Sequence, residues 1–513
     1  GLHCLMGTVL ISNALLSWRT LENLFDGTAH YRFSREAKKS IQNSHQSLNS
    51  LLLTNDRIYG VNTGFGKLSN VSIGSEDLKR LQLNLVRSHA CGVGKPLDSA
   101  VTRIAMVLKL MTWAKGFSGI SPELSQLLLD MLNHDILPII PRKGSVGASG
   151  DLAPLAHLAC AMIGEGEVYF NNRITTAKNA LRKSGLKPIV LKAKEGLSLI
   201  NGTQISTALA IRALYDSMNL LMLSDISGAL STEATLSSMM VFDPKVHKLK
   251  KHKGQLDAAT NVFRLLKSSE IVKSHQNCER IQDPYSIRCL PHVHGSSREV
   301  FINAERIINN ELNSVSDNPL IFPNGKIMNS GHFHAEPVAQ AIDSLSIAMA
   351  EIGAIAERRI HFLMKGIDNK VPLFGAKEPG LESGFMLTQV TAAALASENK
   401  TLAHPASVDS ISTSAGQEDF VSMAPWAAIS CLKILKNIRR ILAIELLVAS
   451  NINYSFHKKL SSGNGLKPVM TLFKREKLLT KNDHILSEDL ISMNKLIISG
   501  KIIKNVMKVT KLV

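Results

Sequence analysis

The sequence contains few aromatic residues, no paired cysteines and no long uninterrupted apolar run. Aromatic residues make up 5% of the 513 residues, so the core must come mostly from aliphatic side chains, which suits helices better than a β-sandwich or barrel. The six cysteines are scattered without a CxxC pair, which argues against a zinc ribbon or a disulfide framework and favours a reducing, cytoplasmic setting. No uninterrupted apolar run reaches the roughly 18 residues of a membrane span, so we expect no membrane association. The apolar start, GLHCLMGTVLISNALLSW, lacks a basic leader, and we interpret it as folded protein rather than a signal peptide.

Positive charge is in excess, with a formal net charge of +17. Such a balance raises the question of a nucleic-acid partner. The tightest cluster, KVHKLKKHKG at 245–254, has no aromatic residue between its lysines and no recognisable nucleic-acid motif. The lysines near the end of the chain alternate with apolar residues. We therefore interpret the lysines as a solvated surface and expect no nucleic-acid partner.

Helical periodicity dominates the rest of the sequence. Apolar residues recur at three- and four-residue steps in 337–364 and 424–450, and a third helical stretch covers 204–240. The opposite face of 337–364 is also largely apolar, so this helix is expected to be buried on all sides. Strand-like runs are short and lie mostly in the first third of the chain and near 319–328. This pattern predicts a mainly α fold, with a long central helical bundle and a smaller mixed N-terminal region that carries the candidate active-site loops.

No internal repeat or low-complexity linker divides the chain. We expect 1–513 to form one continuous protein with three regions, namely 1–200 with the Gly-rich loops, 201–455 with the long helices, and 456–513 as a Lys-rich helical segment. Loops rich in Gly, Asn, Asp and Pro separate the helices. Functional residues often lie on such loops, so we expect the catalytic and binding residues in these segments.

One such loop, GSVGASGDLAPLAHLA at 144–159, allows two interpretations. Ser149 could simply lie at a helix start; it does not fit the G-x-S-x-G pattern of serine hydrolases. Alternatively, the Gly150 nitrogen could attack the Ala148 carbonyl carbon, and loss of water, including the Ser149 hydroxyl, would leave a methylidene electrophile. Glycine at 150 would permit the compressed turn, and the following helix would direct its positive end toward the ring.

The same stretch resembles the signature of the ammonia-lyase family that carries a 4-methylideneimidazol-5-one (MIO) group, which includes histidine, phenylalanine and tyrosine ammonia-lyases. Seven further segments resemble this family in its order: YGVNTGFG (59–66), LVRSHACGVG (85–94), LINGTQ (199–204), QDPYSIRC (282–289), SVSDNP (314–319), FHAEP (333–337) and QED (417–419). The resemblance covers nearly the whole chain. It implies an MIO group formed autocatalytically from Ala148, Ser149 and Gly150, with no external cofactor. It also implies a homotetramer in which each active site is built from three subunits.

The resemblance also implies roles for individual side chains around an amino acid substrate. Tyr285 resembles a tyrosine assigned as the catalytic base, and Tyr59 resembles one assigned to proton transfer. Arg288 would bind the substrate carboxylate with two parallel hydrogen bonds. The resemblance implies three further substrate-binding residues. Asn201 and Gln282 would place amides near the carboxylate or the ring, and Phe333 would pack beside the ring. Two structural interpretations stay open here, in which Arg288 pairs with Asp283 and Tyr285 is only a turn aromatic.

Substrate choice depends on His89 and Glu418, because both match the family's histidine enzymes. A carboxylate can accept an imidazole N–H, and a histidine can exchange hydrogen bonds with the other ring nitrogen. We count Glu418 among the catalytic residues, and the pair favours elimination of ammonia from L-histidine to give trans-urocanate, the first step of histidine degradation. Four positions depart from the histidine pattern and keep a tyrosine ammonia-lyase or an MIO aminomutase open: Leu290, His332, Gly416 and Phe420.

Two other classes compete with this interpretation. The pairs His292–His294 and His332–His334 could bind metal from a strand in a hydrolase, but that requires further ligands and an alternating β/α pattern, and we expect no metal site. A non-catalytic relative would be expected to lose Ser149, and the serine is present.

Overall fold

The structure is a computed structural model that describes residues 8–25, 27–53, 57–275, 280–479 and 482–513. The chain divides into two units. The first unit comprises Gly1–Arg212, Glu305–Asp343 and Pro405–Ile429, and the second comprises Ala213–Ala304, Ser344–His404 and Ser430–Val513. The predicted linear division near residues 200 and 455 stays a prediction.

All strands of the described residues lie in the first unit and are short. They are β1 (Thr8–Ile11), β2 (His30–Phe33), β3 (Val93–Pro96), β4 (Leu137–Pro138), β5 (Pro141–Lys143), β6 (Glu167–Phe170), β7 (Arg173–Thr176), β8 (Leu320–Ile321) and β9 (Ile327–Met328). Strand β1 pairs with β2 in parallel, with Thr8 opposite His30. The pairs β3–β5, β4–β6, β6–β7 and β8–β9 are antiparallel. Short strands in the first third and near 319–328 were expected, and this prediction is confirmed.

Helices make up most of both units. In chain order they are α1 (Arg35–Leu51), α2 (Leu78–His89), α3 (Ser99–Ala114), α4 (Pro122–Asn133), α5 (Leu152–Met162), α6 (Ala177–Lys183), α7 (Glu195–Ile200), α8 (Gln204–Ala234), α9 (Pro244–His247), α10 (Lys253–Leu265), α11 (Glu270–Lys273), α12 (Tyr285–Arg288), α13 (Leu290–Leu312), α14 (Glu336–Met364), α15 (Met386–Leu402), α16 (Ala424–Phe456), α17 (Lys467–Arg475), α18 (Leu486–Ile498) and α19 (Lys501–Met507). The described part of the second unit contains helices and no strands. The predicted mainly α fold with long helices and few strands is therefore confirmed. The unit that carries the strands is not the smaller one, because its three segments together are longer than the second unit.

The long helices pack against one another in the second unit through both apolar and polar side chains. The stripe predicted on α16 is buried throughout, as Ile434, Leu435, Ile438, Ile441 and Leu442 show. Ser297 Oγ on α13 donates to the Ala348 carbonyl of α14 at 2.9 Å. Arg359 on α14 donates to both oxygens of Glu445 on α16, at 2.5 and 3.0 Å. These contacts join α13, α14 and α16 within this unit.

Helix α14 is less completely buried than its sequence suggests. The predicted apolar stripe is buried, but a second stripe at three- and four-residue spacing is exposed and comprises Gln340, Ser344, Ile347, Glu351 and Arg358. The prediction of burial on all sides is therefore wrong for the single chain, because residues at this spacing share one face and four of these five are polar. By length and composition α14 could also cross a membrane, but 67% of its apolar window is buried inside the protein.

The predicted helix over 204–240 ends earlier, at Ala234. Leu236 adopts a left-handed conformation with φ of 52°. The Ser237 N–H donates to Thr232 O and the Leu236 N–H donates to Glu233 O, both at 2.9 Å. This pair of hydrogen bonds is the Schellman ending of a helix, usually built on glycine. A leucine at the left-handed position gives no sequence signal, which explains the misplaced end.

Four described cysteines, Cys91, Cys160, Cys289 and Cys431, are free thiols. Cys4 and Cys278 lie outside the described residues, as do residues 1–7 of the apolar start. The rest of that start is folded, with strand β1 followed by the buried Trp18.

Candidate active site

An open pocket of about 1370 Å³ lies in the first unit. All of its lining residues belong to that unit. Seven residues that the sequence singles out lie on its wall: Tyr59, His89, Ala148, Ser149, Asn201, Phe333 and Glu418. They come from separate loops and helix ends, so the fold collects in one place residues that are up to several hundred positions apart.

The Gly-rich turn before α5 has left-handed glycines, as a compressed turn at this position would need. Gly147 and Gly150 have φ of 67° and 73°, in the left-handed region that favours glycine. A Cβ atom at Gly150 would lie 2.2 Å from the carbonyl oxygen of Gly202, which is backbone and cannot move aside cheaply. Ala148 is buried and Ser149 is half-buried. Glycine at 150 is thus required both by conformation and by the close approach of a second chain segment.

Ser149 contacts Glu418 directly. The Ser149 hydroxyl donates to Oε1 of Glu418 at 2.6 Å, although 269 positions separate the two residues. The Thr413 hydroxyl donates to Oε2 of the same carboxylate at 2.7 Å. Thr413 and Glu418 also pair through their backbones, which fixes the loop that carries the carboxylate. Glu418 is therefore held against the hydroxyl that would leave during ring formation.

Asp151 is a buried carboxylate that sequence reasoning missed. Ser206 donates to it through its N–H at 2.7 Å and its hydroxyl at 2.8 Å. The Ser145 hydroxyl donates to Asp151 Oδ1 at 3.1 Å. Burial raises the pKa of Asp151 above its usual value, whereas the hydrogen bonds from Ser206 and Ser145 lower it. The signal was available in GASGD, because an acidic residue directly after Gly150 precedes a helix whose apolar residues predict burial.

Asn201 forms the other side of the turn. Its Nδ2 donates to the Asn318 carbonyl at 3.0 Å, but its buried Oδ1 has no hydrogen-bond partner among the described residues. Gly202 pairs with Gly150 as an isolated parallel bridge, and the Asp151 N–H donates to Gly202 O at 2.8 Å. An orphan acceptor on the pocket wall and a turn too tight for a Cβ atom are what an MIO group formed at 148–150 would require. The residues present therefore fit the group.

His89 and Tyr59 lie on the pocket wall with fixed orientations. His89 ends α2, and its Nδ1 is 3.1 Å from the Ser88 hydroxyl. Burial lowers the pKa of His89, against opposing effects of the Leu85 carbonyl and the Glu418 charge. The neutral imidazole is favoured, so the ring can both donate and accept a hydrogen bond. The Gly66 N–H donates to the Tyr59 hydroxyl at 3.3 Å, which ties this side chain to the TGFG turn.

Phe333 and Phe420 add apolar surface to the same pocket. His334 stacks on Phe420 with ring centroids 6.2 Å apart, and its Nε2 lies 3.1 Å from the Phe420 carbonyl oxygen. The stack supports the end of the loop that carries Glu418. Phe420 remains 59% exposed, so the departure noted in the sequence places a large apolar ring on the pocket wall.

Two other departures have structural explanations. Gly416 has φ of 79° and open space around a Cβ atom, so its requirement is conformational. Asparagine, the family's usual residue there, also tolerates the left-handed region. Leu290 is fully buried and contacts Gly228 within the second unit, so it is a packing position.

Gln282, Tyr285 and Arg288 belong to the second unit. Arg288 donates to Oε1 of Gln282 at 2.6 Å, not to Asp283, so the predicted structural alternative for Arg288 is wrong. Asp283 instead accepts from the Ser238 N–H at 2.9 Å. Tyr285 is 73% exposed at the start of α12.

The His-x-His pairs do not form a metal site. Within the described ranges, no group of three or more His, Cys, Asp or Glu side chains could hold a metal ion. His292 and His294 lie on helix α13 rather than on a strand, so two-residue spacing directs them to different sides. His294 is buried, and its Nδ1 lies 2.8 Å from Oδ1 of Asp225. This ring nitrogen therefore forms a hydrogen bond with a carboxylate instead of facing a metal site.

Comparison with known proteins agrees with this geometry. Residues 16–475 match the family described as aromatic amino acid lyase. A histidine ammonia-lyase of Vibrio cholerae is 44% identical over 491 residues, which are 95% of this chain and 96% of that protein. The crystal structure of histidine ammonia-lyase from Trypanosoma cruzi has a TM-score of 0.89 at 38% identity, covering 98% of this chain and 96% of that one. The tyrosine aminomutase of Streptomyces globisporus has a TM-score of 0.91 at 30% identity, covering 99% and 100%. The chain therefore belongs to the aromatic amino acid lyase family, the MIO-dependent carbon–nitrogen lyases.

Proposed function

We propose that this chain eliminates ammonia from L-histidine to give trans-urocanate, the activity of a histidine ammonia-lyase. One observation carries the proposal: Glu418 touches the Ser149 hydroxyl on a pocket wall that also contains His89. A carboxylate and a neutral imidazole can together hold both nitrogens of a substrate imidazole. Relatives named histidine ammonia-lyase at 44–48% identity support the same substrate.

The electrophile in this proposal comes from the chain itself. The Gly150 nitrogen bonds to the Ala148 carbonyl carbon, and that oxygen leaves as water with the protons of the Gly150 and Ser149 amides. The Ser149 hydroxyl leaves as a second water with the Cα proton, which makes the exocyclic methylidene. Two waters are lost, and no oxidant or external cofactor enters. The N-terminal end of α5 directly after the turn favours electron density arriving there.

The finished MIO group would supply an electrophile to which the substrate amine adds, which makes the amine a better leaving group. The chain's own residues do the rest. Arg288 binds the carboxylate, Tyr285 removes the β-proton as the base, and Tyr59 assists proton transfer. Phe333 packs beside the ring. Because the β-proton is weakly acidic, the substrate must be held rigidly for the base to reach it.

The pocket lies in the first unit, whereas three proposed site residues belong to the second unit: Gln282, Tyr285 and Arg288. This difference is one reason to propose that several subunits build each active site. The exposed Tyr285 is available to complete a site of another subunit. We infer a homotetramer with shared active sites, which sedimentation of the purified protein would test. Free cysteines in the described segments agree with a reducing, cytoplasmic compartment.

A tyrosine ammonia-lyase or an MIO aminomutase is the second candidate, and Phe420 is the observation that favours it. An exposed aromatic ring beside the pocket suits a phenol ring better than an imidazole. The 30% identical tyrosine aminomutase covers the whole chain as well.

The deciding assay incubates the purified protein separately with L-histidine, L-tyrosine and L-phenylalanine. The ultraviolet absorbance of each unsaturated acid reports the product. Urocanate from histidine, with neither of the other acids formed, supports the proposal. Coumarate without urocanate replaces it with the tyrosine alternative, and β-amino acids detected by chromatography would identify an aminomutase.

Ser149→Ala tests the electrophile independently of the substrate. Without the hydroxyl no second water can leave, so we expect kcat to fall by at least about 10³-fold, the scale of losing a central catalytic group. The intact mass of the wild-type chain should lie below its sequence mass by two water molecules. A variant that keeps the wild-type rate, or a wild-type chain at its full sequence mass, would each contradict the proposed electrophile.

A further inference from the structure

A fully buried lysine contacts the segment that pairs with the turn carrying Ser149. Lys109 is in the middle of α3, where almost every residue is buried, and it is 1% exposed. Its Nζ donates to the Ser198 carbonyl at 2.9 Å and to the Asn201 carbonyl at 2.6 Å. Among the described residues it forms no ion pair with a carboxylate. Burial lowers the pKa of Lys109 to about 7, yet either form of the amine has enough N–H groups for both carbonyls.

The carbonyl of Asn201 belongs to the peptide group that faces the turn. Helix α7 ends at Ile200, so the carbonyls near its end lack helical partners, and Lys109 satisfies two of them. The Asn201–Gly202 peptide is planar and trans, so fixing the carbonyl on Lys109 also fixes the direction of the Gly202 N–H on the opposite side. Gly202 pairs with Gly150, and its carbonyl oxygen accepts a hydrogen bond from the Asp151 N–H.

The neighbouring buried lysine has a different task. Lys194 Nζ donates to Ser118 O at 3.0 Å and to the Ser198 hydroxyl at 2.8 Å, and it pairs with Asp317 at 3.1 Å. No hydrogen bond of Lys194 goes to Asn201 or Gly202. The two lysines are similarly buried in the same unit, but they differ in two respects: Lys194 pairs with Asp317, and Lys109 contacts the peptide that faces the turn.

We propose that Lys109 is a positioning residue for the Ala148–Ser149–Gly150 turn, because it holds the Asn201–Gly202 peptide in the orientation against which Gly150 is pressed toward Ala148. The inference rests on the proposed function, since it concerns formation of the group on which that function depends. Lys109 touches neither substrate nor the reacting atoms. Its effect is on how many chains complete ring closure.

The test compares Lys109→Met with Lys194→Met. Methionine fills a similar volume without an N–H donor, so in Lys109→Met the Asn201 carbonyl loses its partner. We measure the intact mass of each purified protein, together with near-ultraviolet circular dichroism as a check of folding. We expect folded Lys109→Met in which most chains keep both waters, and folded Lys194→Met in which most chains have lost them. Equal loss of water in folded Lys109→Met and wild type overturns the proposal.

Lys109→Gln guards against a failure to fold. Its amide keeps a donor for one carbonyl, and we expect an intermediate fraction of chains without the two waters. If neither Lys109 variant folds while Lys194→Met does, the lysine supports the whole unit rather than the turn, and the proposal is wrong. A wild-type chain that keeps both waters would instead refute the MIO group itself, and this outcome is visible before any variant is made.

Discussion

At the scale of single residues, the decisive contact joins Ser149 to Glu418. The sequence indicates both residues, but as parts of different tasks, one for the electrophile and one for the substrate. Their 2.6 Å hydrogen bond places the Glu418 carboxylate directly against the residue of the candidate electrophile, on the wall of the same pocket. Thr413 shares that carboxylate, so its position is fixed before substrate arrives.

Glu418→Gln tests this residue. The amide keeps the shape but removes the charge, and a hydrogen bond to a charged group contributes about 1.5–3 kcal/mol, so kcat/KM for histidine should fall about 10- to 100-fold. Steady-state kinetics with urocanate detection measures the change. Glu167→Gln, at an exposed position on β6, is the control and should leave kcat/KM as in the wild type. An unchanged kcat/KM for Glu418→Gln would contradict the proposed role of this residue.

At the scale of elements, the turn before α5 depends on two segments that approach each other without side chains. Gly150 and Gly202 pair as backbone, and no Cβ atom fits at 150. The helix that follows needs no side-chain cap, since the Asp151 carboxylate accepts from Ser206 instead. Local sequence shows the glycines, but only the neighbouring segment explains why the one at 150 cannot be replaced.

Gly150→Ala should separate conformational strain from this close approach. Gly185 has nearly the same φ, 71°, but open space around a Cβ atom, so Gly185→Ala is a matched control. We expect the control to lose about 1–2 kcal/mol of unfolding free energy, the cost of a left-handed alanine, with ring closure intact. Gly150→Ala should lose more stability and keep both waters. Intact mass and urea unfolding measure the two effects, and similar behaviour of both variants would contradict the close-approach argument.

At the scale of the whole molecule, the two units have different polar interiors. In the first unit some buried polar groups lie at the candidate site, as Asp151 and Asn201 do. In the second they join long helices, as Arg359 and Glu445 do. Glu233 is another buried carboxylate of the second unit, and it accepts from the Ser269 hydroxyl at 2.6 Å and the Gly463 N–H at 2.7 Å.

Glu233 makes the stability of the protein depend on pH. Burial raises the pKa of Glu233 to about 7, from an ordinary value of 4.5. The folded state therefore binds a proton that the unfolded state releases, and this contribution to stability is present below pH 4.5 and is lost as the pH rises to about 7. The loss is of the order of 3 kcal/mol, since each pKa unit corresponds to about 1.4 kcal/mol.

Glu233→Gln should flatten this part of the pH profile. Asn453 Nδ2 donates to Glu233 at 3.2 Å while its buried Oδ1 lacks a partner in the described chain, so rotation of that amide would let a glutamine at 233 donate to it. Apparent Tm at fixed protein concentration, measured from pH 5 to 7, should fall less in the variant than in the wild type. Parallel profiles would contradict the assignment.

Much of the fold and of the candidate site could be predicted because the signals were local. Helical periodicity located α14 and the start of α16, although α16 continues to Phe456, beyond the predicted end at 450. The motifs contain seven predicted site residues that lie on the wall of the pocket. The errors arose where a neighbour decides the outcome. The end of α8 depends on a left-handed Leu236, and burial of α14 depends on what covers each of its faces.

The sequence by itself determined the helical class and the family, and it indicated the candidate tripeptide and the acidic and imidazole groups, because composition, periodicity and motif order can be read along the chain without knowledge of spatial neighbours. The tertiary structure alone decided that Glu418 meets Ser149, that Arg288 pairs with Gln282 rather than Asp283, and that Lys109 donates to the Asn201 carbonyl. Those contacts join segments through packing and hydrogen-bond geometry, and a side chain's partner follows from the folded backbone rather than from its place in the chain.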